Sequence, residues 1–475
     1  MSKIEVNTID AQCGSTITVG SSGKNIKIEG NDIRSNDYKA SDGGNIINQS
    51  GTSITIGASG DTVSLASGAS QSGFGRSGSV DWQTSIKTSG FTAVSGEGYF
   101  CNTTDSAFTV TLPSSPSVGD IVAIKDYAAT FADNNLTLGR NSSNIGGIAE
   151  NLDLATDQQS VTLVYADATK GWLAVSDSTS NSIPQKFVTA TGGNTVATCG
   201  NFKIHTFTGP GTFCVSCAGN PAGSNTVDYL VIAGGGGGGK SGYPNREGGG
   251  AGAGGYRESS GTASGSYSRS PLGACVSALP VTAQGYPITV GGGGAGSTGP
   301  AAGVNGNPSV FSTITSTAGG GGTTRIPPGG YDNGKPGGSG GGAGSQNTGG
   351  FGTGNTPPVS PPQGNPGGEA ERSGGNENGA GGGGATGTGG GSPPSGNGSG
   401  GAGATSSINS TPTTRASGGS GAGQSGSGAA TPGGGGAGDG SNGLGNTGGG
   451  GGANGPGGSG GTGGSGIVII RYKYQ

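Results

Sequence analysis

The glycine run at Gly234–Gly239 is followed by Lys240 and Ser241 and satisfies the G-x-x-x-x-G-K-[ST] pattern of phosphate-binding loops. It also follows an apolar stretch, Tyr229–Ala233, which predicts a strand. A phosphate-binding loop works because a helix begins directly after it, so that the N-terminal amides of the helix hold the anion. The residues that follow are rich in Gly and contain Pro, which excludes a helix there. We therefore predict no nucleotide site at this motif.

A second group of residues has spacing suited to a metal. Cys199, His205, Cys214 and Cys217 are four possible zinc ligands within a short stretch. His205, however, lies in an alternating strand, where a packed or surface histidine is the ordinary case, and residues three apart in a strand face opposite sides. Zinc, a disulfide among the three cysteines formed outside the cell, and free thiols remain as interpretations, and thiols are the default for a cytoplasmically assembled protein. We predict no metal. Three other cysteines fit small buried positions: Cys13, Cys101 and Cys275.

Acidic residues are too sparse in the glycine-rich half to predict catalysis. Glycoside hydrolysis needs two carboxylates held about 5–9.5 Å apart. Glu369 and Glu371 form the one close pair, and they lie in a stretch bounded by Gly and Pro with nothing to fix their geometry. The other acidic residues of this half are Glu247, Glu258, Asp332, Glu377 and Asp439. We predict no catalytic residue, no enzymatic activity and no cofactor.

The amino-acid composition also favours a protein without enzymatic activity. Of 475 residues 116 are Gly, only 10% are charged and 28% are apolar, with one His in the whole chain. The formal net charge of −4 is too small to favour disorder by charge repulsion. Most of the glycines, 88 of them, lie in 234–475. We find no apolar run long enough for a membrane span and no secretion leader, and we expect a soluble protein made in a cytoplasm.

Residues 1–78 contain an internal repeat. Ile17–Ile28 matches Ile54–Leu65, and in both copies apolar residues alternate around turn-forming glycines. Two such hairpins are too small for a core of their own, so three chains wrapping their apolar stripes together would bury them. We interpret 1–78 as a β-repeat shaft; an isolated meander domain is the alternative.

Two further regions predict β structure. In 79–178, strand candidates separated by turn signals indicate a β-sandwich of jelly-roll type. They are Phe91–Val94, Tyr99–Thr103, Phe108–Leu112, Ile121–Tyr127, Leu136–Leu138, Val161–Ala166 and Gly171–Val175. Region 179–233 is interpreted as a linking β-unit. Its strand candidates are Phe187–Ala190, Asn201–Phe207, Thr212–Ser216 and Asp228–Ala233.

Residues 234–475 have the composition of a flexible linker, but they end in an apolar strand at 466–472 and are interrupted by the strand-like 286–290 and 308–315. Glycine runs can instead form bundled polyproline-II helices, whose backbone groups bond to neighbouring helices. We predict such a polyglycine-II domain, closed by the strand 466–472. An ice-binding bundle would need a flat face of short residues, which the Pro- and Arg-bearing interruptions break.

Several phrases resemble a known family. Val80–Thr84, Val110–Pro113, Gly119–Lys125 and Ser160–Tyr165 are similar to a domain that recurs in tail fibres of marine, cyanophage-like phages. The matching glycine-rich C-terminal domain of those fibres resembles the polyglycine-II sandwich of T-even-type phage adhesins. The phrases similar to it are His205–Phe207, Tyr229–Gly234, Gly250–Arg257, Tyr286–Gly291 and Gly466–Arg471. In T-even adhesins the tip is a separate chain, whereas here it is fused to the fibre.

The resemblance implies a mainly β, elongated homotrimeric fibre in the virion tail, assembled in the host cytoplasm and acting outside the cell. Its N-terminus would join tail adaptor, nozzle or baseplate proteins, and its glycine-rich tip would bind a host surface glycan or outer-membrane protein, with no nucleic acid. The interruptions between glycine runs would carry the receptor contacts. The candidates are Tyr243, Arg246, Arg325, Tyr331, Asp332, Phe351 and Arg372. The alternative is a purely structural fibre or spacer.

Overall fold

The chain divides into two compact units, Met1–Gly78 and Ser79–Gln475, and each is described by itself. The computed structural model describes residues 37–39, 45–50, 53–56, 80–178, 183–241, 247–265, 267–273, 275–299, 301–326, 330–331, 333–345, 350–370, 378–392, 398–424 and 427–475. The predicted mainly β class is confirmed. Among the described residues the helical ones form one 3-10 turn, Pro271–Gly273, and no helix there is long and apolar enough to cross a membrane.

The first unit contains an antiparallel sheet in the order β1-β2-β3. Its strands are β1 (Asp37–Lys39), β2 (Asn45–Ser50) and β3 (Ser53–Ile56). Strand β3 covers the start of the second predicted repeat and pairs with β2, with Ile47 opposite Ile56. The first repeat, 17–28, and the remainder of the second, 57–65, lie outside the described residues.

Residues 80–178 form two packed sheets. The strands are β4 (Asp81–Trp82), β5 (Phe91–Thr92), β6 (Glu97–Cys101), β7 (Phe108–Thr111), β8 (Ile121–Asp126), β9 (Leu136–Gly139), β10 (Leu152–Leu154), β11 (Ser160–Asp167) and β12 (Gly171–Asp177). The sheets have the orders β12-β11-β8-β6-β4 and β10-β9-β7-β5. Alternate side chains of facing strands, such as Val110, Ile124 and Leu163, are buried between them.

The winding of this sandwich differs from the jelly roll that we expected. From β4 to β9 the chain alternates between the two sheets, and neighbouring strands in each sheet are parallel. Only the last strands, β10 to β12, pair antiparallel with their neighbours. Alternating apolar residues determine which face of a strand is buried, but they do not determine its partner or direction.

The rest of the second unit begins with two further sheets. Its strands are β13 (Val188–Thr191), β14 (Thr195–Cys199), β15 (Phe202–Phe207), β16 (Gly211–Ala218), β17 (Thr226–Ile232), β18 (Tyr256–Glu258), β19 (Leu279–Pro280), β20 (Gly285–Thr289), β21 (Ser309–Phe311), β22 (Ile314–Ser316), β23 (Arg325–Ile326), β24 (Gly330–Tyr331), β25 (Ala404–Ser406), β26 (Thr413–Arg415) and β27 (Ile467–Lys473). One sheet has the order β13-β16-β20-β21-β22 and the other β14-β15-β27-β17-β18. The strands predicted as a linking unit therefore share both sheets with strands from the glycine-rich part.

Strand β27 lies between β15 and β17, as expected for a strand that closes the domain. Both faces of this sheet are buried: Tyr229 and Ile470 face one core, and Leu230 and Ile469 face the other. A strand that is buried on both faces carries a continuous apolar run instead of an alternating one. This explains the compositions of β17 and β27.

Buried carboxylates fix the loops that cover this sheet. Asp228, fully buried, accepts hydrogen bonds from the Ser259 hydroxyl at 2.7 Å, the Gly261 amide at 3.0 Å and both donors of Ser264 at 2.6 and 2.8 Å. Glu258 accepts in the same way from Ser270, Ser406 and Tyr256. Hydrogen bonds to ionised groups are among the stronger ones in proteins.

The glycine-rich segments form a bundle of threefold helices. Along Gly234–Gly239 the N–H groups donate in turn to three neighbouring segments, and the order of the partners repeats every three residues. The donor–acceptor pairs, at 2.8–3.0 Å, are Gly234–Asn307, Gly235–Gly464, Gly236–Gly252, Gly237–Val304, Gly238–Gly461 and Gly239–Gly249. A partner that returns at every third residue means three residues per turn, as in polyproline II. The predicted polyglycine-II arrangement is therefore present.

The carbonyl groups of the same segment accept from three other segments. Gly319 donates to Gly234, Gly294 to Gly235 and Gly451 to Gly236. The segment thus has six neighbours and is buried throughout. Residues 249–254 repeat the pattern with donors to 320–323, 380–383 and 448–451. Since such helices have no internal hydrogen bonds, the bundle satisfies its buried backbone entirely between segments.

Close approach of the segments explains the requirement for glycine. A Cβ built on Gly236 would lie 2.2 Å from the carbonyl oxygen of Gly320. That oxygen belongs to the backbone of a neighbouring segment and cannot rotate away. Any side chain at this position would push two segments apart.

We predict that Gly236→Ala lowers the free energy of unfolding by about 1–3 kcal/mol, because the added methyl group meets fixed backbone. Urea unfolding followed by circular dichroism measures the change. Gly299→Ala is the matched control, since a Cβ at Gly299 has nothing within 4 Å. Equal stabilities of the two variants would contradict the close packing.

Candidate binding surface at one end of the glycine-rich bundle

The bundle has two different ends. At one end its segments continue into the sheets: residue 233 follows β17, and residue 255 precedes β18. The opposite end is called the distal end here and is defined by Lys240, Glu247, Thr324, Ser345 and Asn454. The Lys240 amide donates to Thr324 Oγ1 at 3.2 Å, Lys240 forms a parallel bridge with Asn454, and the Ser345 amide donates to the Glu247 carbonyl at 3.1 Å.

Other segments reach the same end. The Ser392 amide donates to the Glu369 carbonyl at 3.2 Å, and the Gln424 amide donates to Asn378 Oδ1 at 3.2 Å. Ala422, two residues before Gln424, bonds to Gly248 next to Glu247. These residues border six ranges of the chain that lie outside the described residues: 242–246, 327–329, 346–349, 371–377, 393–397 and 425–426. Described residues beside each of these six ranges therefore lie at the distal end.

The predicted contact residues lie within or close to four of these ranges. Tyr243, Arg246, Asp332 and Arg372 lie outside the described residues. Arg325 and Tyr331 are opposite one another in the β23–β24 hairpin, which follows the distal residue Thr324, and their side chains are not described. Phe351 is half-buried and packs against Ala343, Ala370 and Ala380, which places it between segments near the distal end.

Polar residues at the distal end were not among the predicted contacts. Lys240 is half-buried and donates from Nζ to the Thr298 carbonyl at 3.2 Å, while Glu369 and Gln424 are exposed. The sequence signal for these residues is their position, because each lies within two residues of a range that separates two glycine runs.

Glu247 is the exception among the distal charged residues, because it is only 4% exposed. Among the described residues its Oε2 has no hydrogen-bond partner, and it lies 2.7 Å from where a Cβ on Gly455 would be. Burial raises the pKa of the Glu247 carboxyl to about 7. A neutral carboxyl group is therefore favoured at this position below about pH 7.

The phosphate-loop motif has a different role in the structure. Gly234–Gly239 is the six-neighbour segment, and its amides are bonded to other segments. No helix follows it in the described residues. The motif builds the interior of the bundle.

The possible zinc ligands are spread over different strands. His205 on β15 is buried, with Nδ1 2.7 Å from the Gly192 carbonyl and Nε2 3.0 Å from the Tyr472 hydroxyl. Cys199 lies on β14, and Cys214 and Cys217 on β16 of the other sheet, all as free thiols. The described residues contain no group of three or more such ligands suited to a metal. His205 is a packed core residue.

The prediction that these cysteines are buried is confirmed for Cys101 and wrong for Cys275. Cys101 is buried, as expected, and burial raises the pKa of its thiol to about 12. Cys275 is exposed, because it follows the 3-10 turn Pro271–Gly273 in a loop and has a φ of 61°. Cys13 lies outside the described residues.

We predict that the only histidine of the chain titrates below its usual pKa of about 6.5, because burial disfavours the imidazolium. Ring signals in NMR spectra of the folded and urea-unfolded chain measure both values. With the folded pKa lowered, the contribution of His205 to stability is complete above about pH 6.5 and is lost as the pH falls through the folded value. A folded pKa at or above the unfolded one would contradict the buried placement.

The fold and the distal surface define a class of β protein in which sheets support a bundle of polyglycine-II segments. The family model of the glycine-rich domain matches residues 208–473, from the end of β15 to β27. The chain belongs to this glycine-rich domain family. Among curated proteins, none matches the chain significantly.

Proposed function

We propose that the protein is a phage tail-fibre component that attaches the virion to host cells through the distal end of its glycine-rich bundle. The observation that carries the proposal is the convergence on that end of described residues from beside all six ranges. A rigid scaffold that presents several stretches side by side suits recognition, because their sequences can change while the bundle remains the same.

The chemistry of these stretches also supports binding. Within or close to them lie Tyr243, Arg246, Tyr331, Asp332 and Arg372, in an otherwise Gly-, Ser- and Pro-rich half. Aromatic rings supply rigid contact area, and guanidinium, carboxylate and amide groups orient a polar ligand such as a glycan or a protein loop. The tail-fibre identity, the virion location and the homotrimer come from the resemblance of the sequence and belong to this proposal. In a homotrimer, three weak sites would act together without new contacts.

We predict that the fluorescently labelled full chain binds cells of some strains in a panel of marine cyanobacteria. The double variant Tyr243→Ala/Arg246→Ala should bind those cells at least about tenfold more weakly, since central aromatic and Arg contacts carry more than about 1 kcal/mol each. Cell-binding titrations by flow cytometry measure the affinity, and light scattering measures whether the mass is three times that of the chain.

The control is Val118→Ser, which changes a residue that is 77% exposed on the sandwich, away from the bundle. Its binding should equal that of the wild type. A fibre that binds no strain, or binding that survives the double variant and a further Tyr331→Ala/Arg372→Ala variant, would overturn the distal binding surface and favour a structural spacer.

A further inference from the structure

Glu247 occupies a junction between three parts of the distal end. Its amide donates to Ser345 Oγ at 3.2 Å, and its carbonyl accepts from the Ser345 amide at 3.1 Å. Its side chain lies against the turn that begins at Asn454 and Gly455. This turn joins segments 448–454 and 460–466, and the first of them bonds to both 234–239 and 249–254.

No cation faces the carboxylate among the described residues. The elements packed around it contribute Thr323, Ser345, Ala422 and Gly455, which are uncharged. Lys240, on the adjacent segment, directs its ammonium to the Thr298 carbonyl at 3.2 Å. Arg246 precedes Glu247 in the chain and lies outside the described residues.

We propose that Glu247 is a proton-operated latch of the distal end. In its neutral form the carboxyl group packs under the 454–459 turn. When it releases its proton to water, a charge without a partner remains in a buried position, and the carboxylate and the turn separate. An unpaired buried charge is among the most costly arrangements in a protein.

The direction of the pH dependence follows from the pKa of about 7, which is above the usual glutamate value of 4.5. Because the neutral form is favoured in the closed state, the stabilisation of that state by Glu247 is complete below about pH 4.5. This stabilisation is lost as the pH rises through about 7. With these two pKa values, the equilibrium constant for opening increases about 30-fold between pH 5.5 and 8.5. The latch does not depend on receptor binding; only its effect on attachment rests on the proposed function.

Hydrogen–deuterium exchange of the full chain tests the latch without a receptor. Wild type and Glu247→Gln are compared at the same pH, so that the intrinsic exchange rate cancels. For peptides covering 247–255 and 448–459, the exchange rate of the wild type is divided by that of the Gln variant at each pH. This ratio should be about 30-fold higher at pH 8.5 than at pH 5.5. Peptides covering β11 (Ser160–Asp167) should not change. Glu247→Met, also neutral, should behave like the Gln variant.

Matched variants separate the latch from a general charge effect. Glu369→Gln removes an exposed carboxylate of the same end and should leave the pH dependence as in the wild type. Arg246→Gln should leave it unchanged too, because the proposed latch depends on the Glu247 carboxyl group alone. Equal protection of wild type and Glu247→Gln at both pH values, or a dependence abolished by Arg246→Gln, would overturn the proposal.

Discussion

A helix with three residues per turn directs every N–H and C=O sideways, so a buried segment of this kind depends on its neighbours for all its hydrogen bonds. In 234–239 this condition is met by six surrounding segments, at distances that leave no space for a Cβ at Gly236. Glycine loses more conformational freedom on folding than other residues, and none of the segments would be ordered alone. The bundle is therefore ordered collectively or not at all.

Collective order needs a fixed starting point, which the sheets provide. Strands β17 and β18 join the two central segments directly, and β27 ends the last one. Apolar burial on both faces of the sheet gives this base a core that the glycines cannot supply. Asp228 and Glu258 then hold the covering loops through several hydrogen bonds each. Arg471 is stacked 4.9 Å from the ring of Phe202 and 5.4 Å from that of Tyr267.

The sequence predicts most of this base, because burial imposes a pattern on it. The strands at 202–207 and 467–473 follow from apolar residues that the fold must cover. Thr195–Cys199 is not predicted, since it is an exposed edge strand and burial imposes no pattern on it. The arrangement of the bundle is not predictable in detail either. Gly235 bonds to Gly464, but because the glycine runs consist of identical residues, their sequences do not specify which run packs beside which. For the same reason, the sequence does not predict which stretches lie together at the distal end, because this depends on how the segments pack.

The position of β27 has a consequence for biosynthesis. It follows every other described strand in the chain, yet it lies in the middle of its sheet, between β15 and β17. While the ribosome is still translating the glycine-rich segments, Thr226–Ile232 has no partner on that side and both its apolar faces are incompletely covered. Closure requires a contact between residues more than 200 positions apart, which is slow to form. A chain that stops before Ile467 leaves this sheet open between β15 and β17.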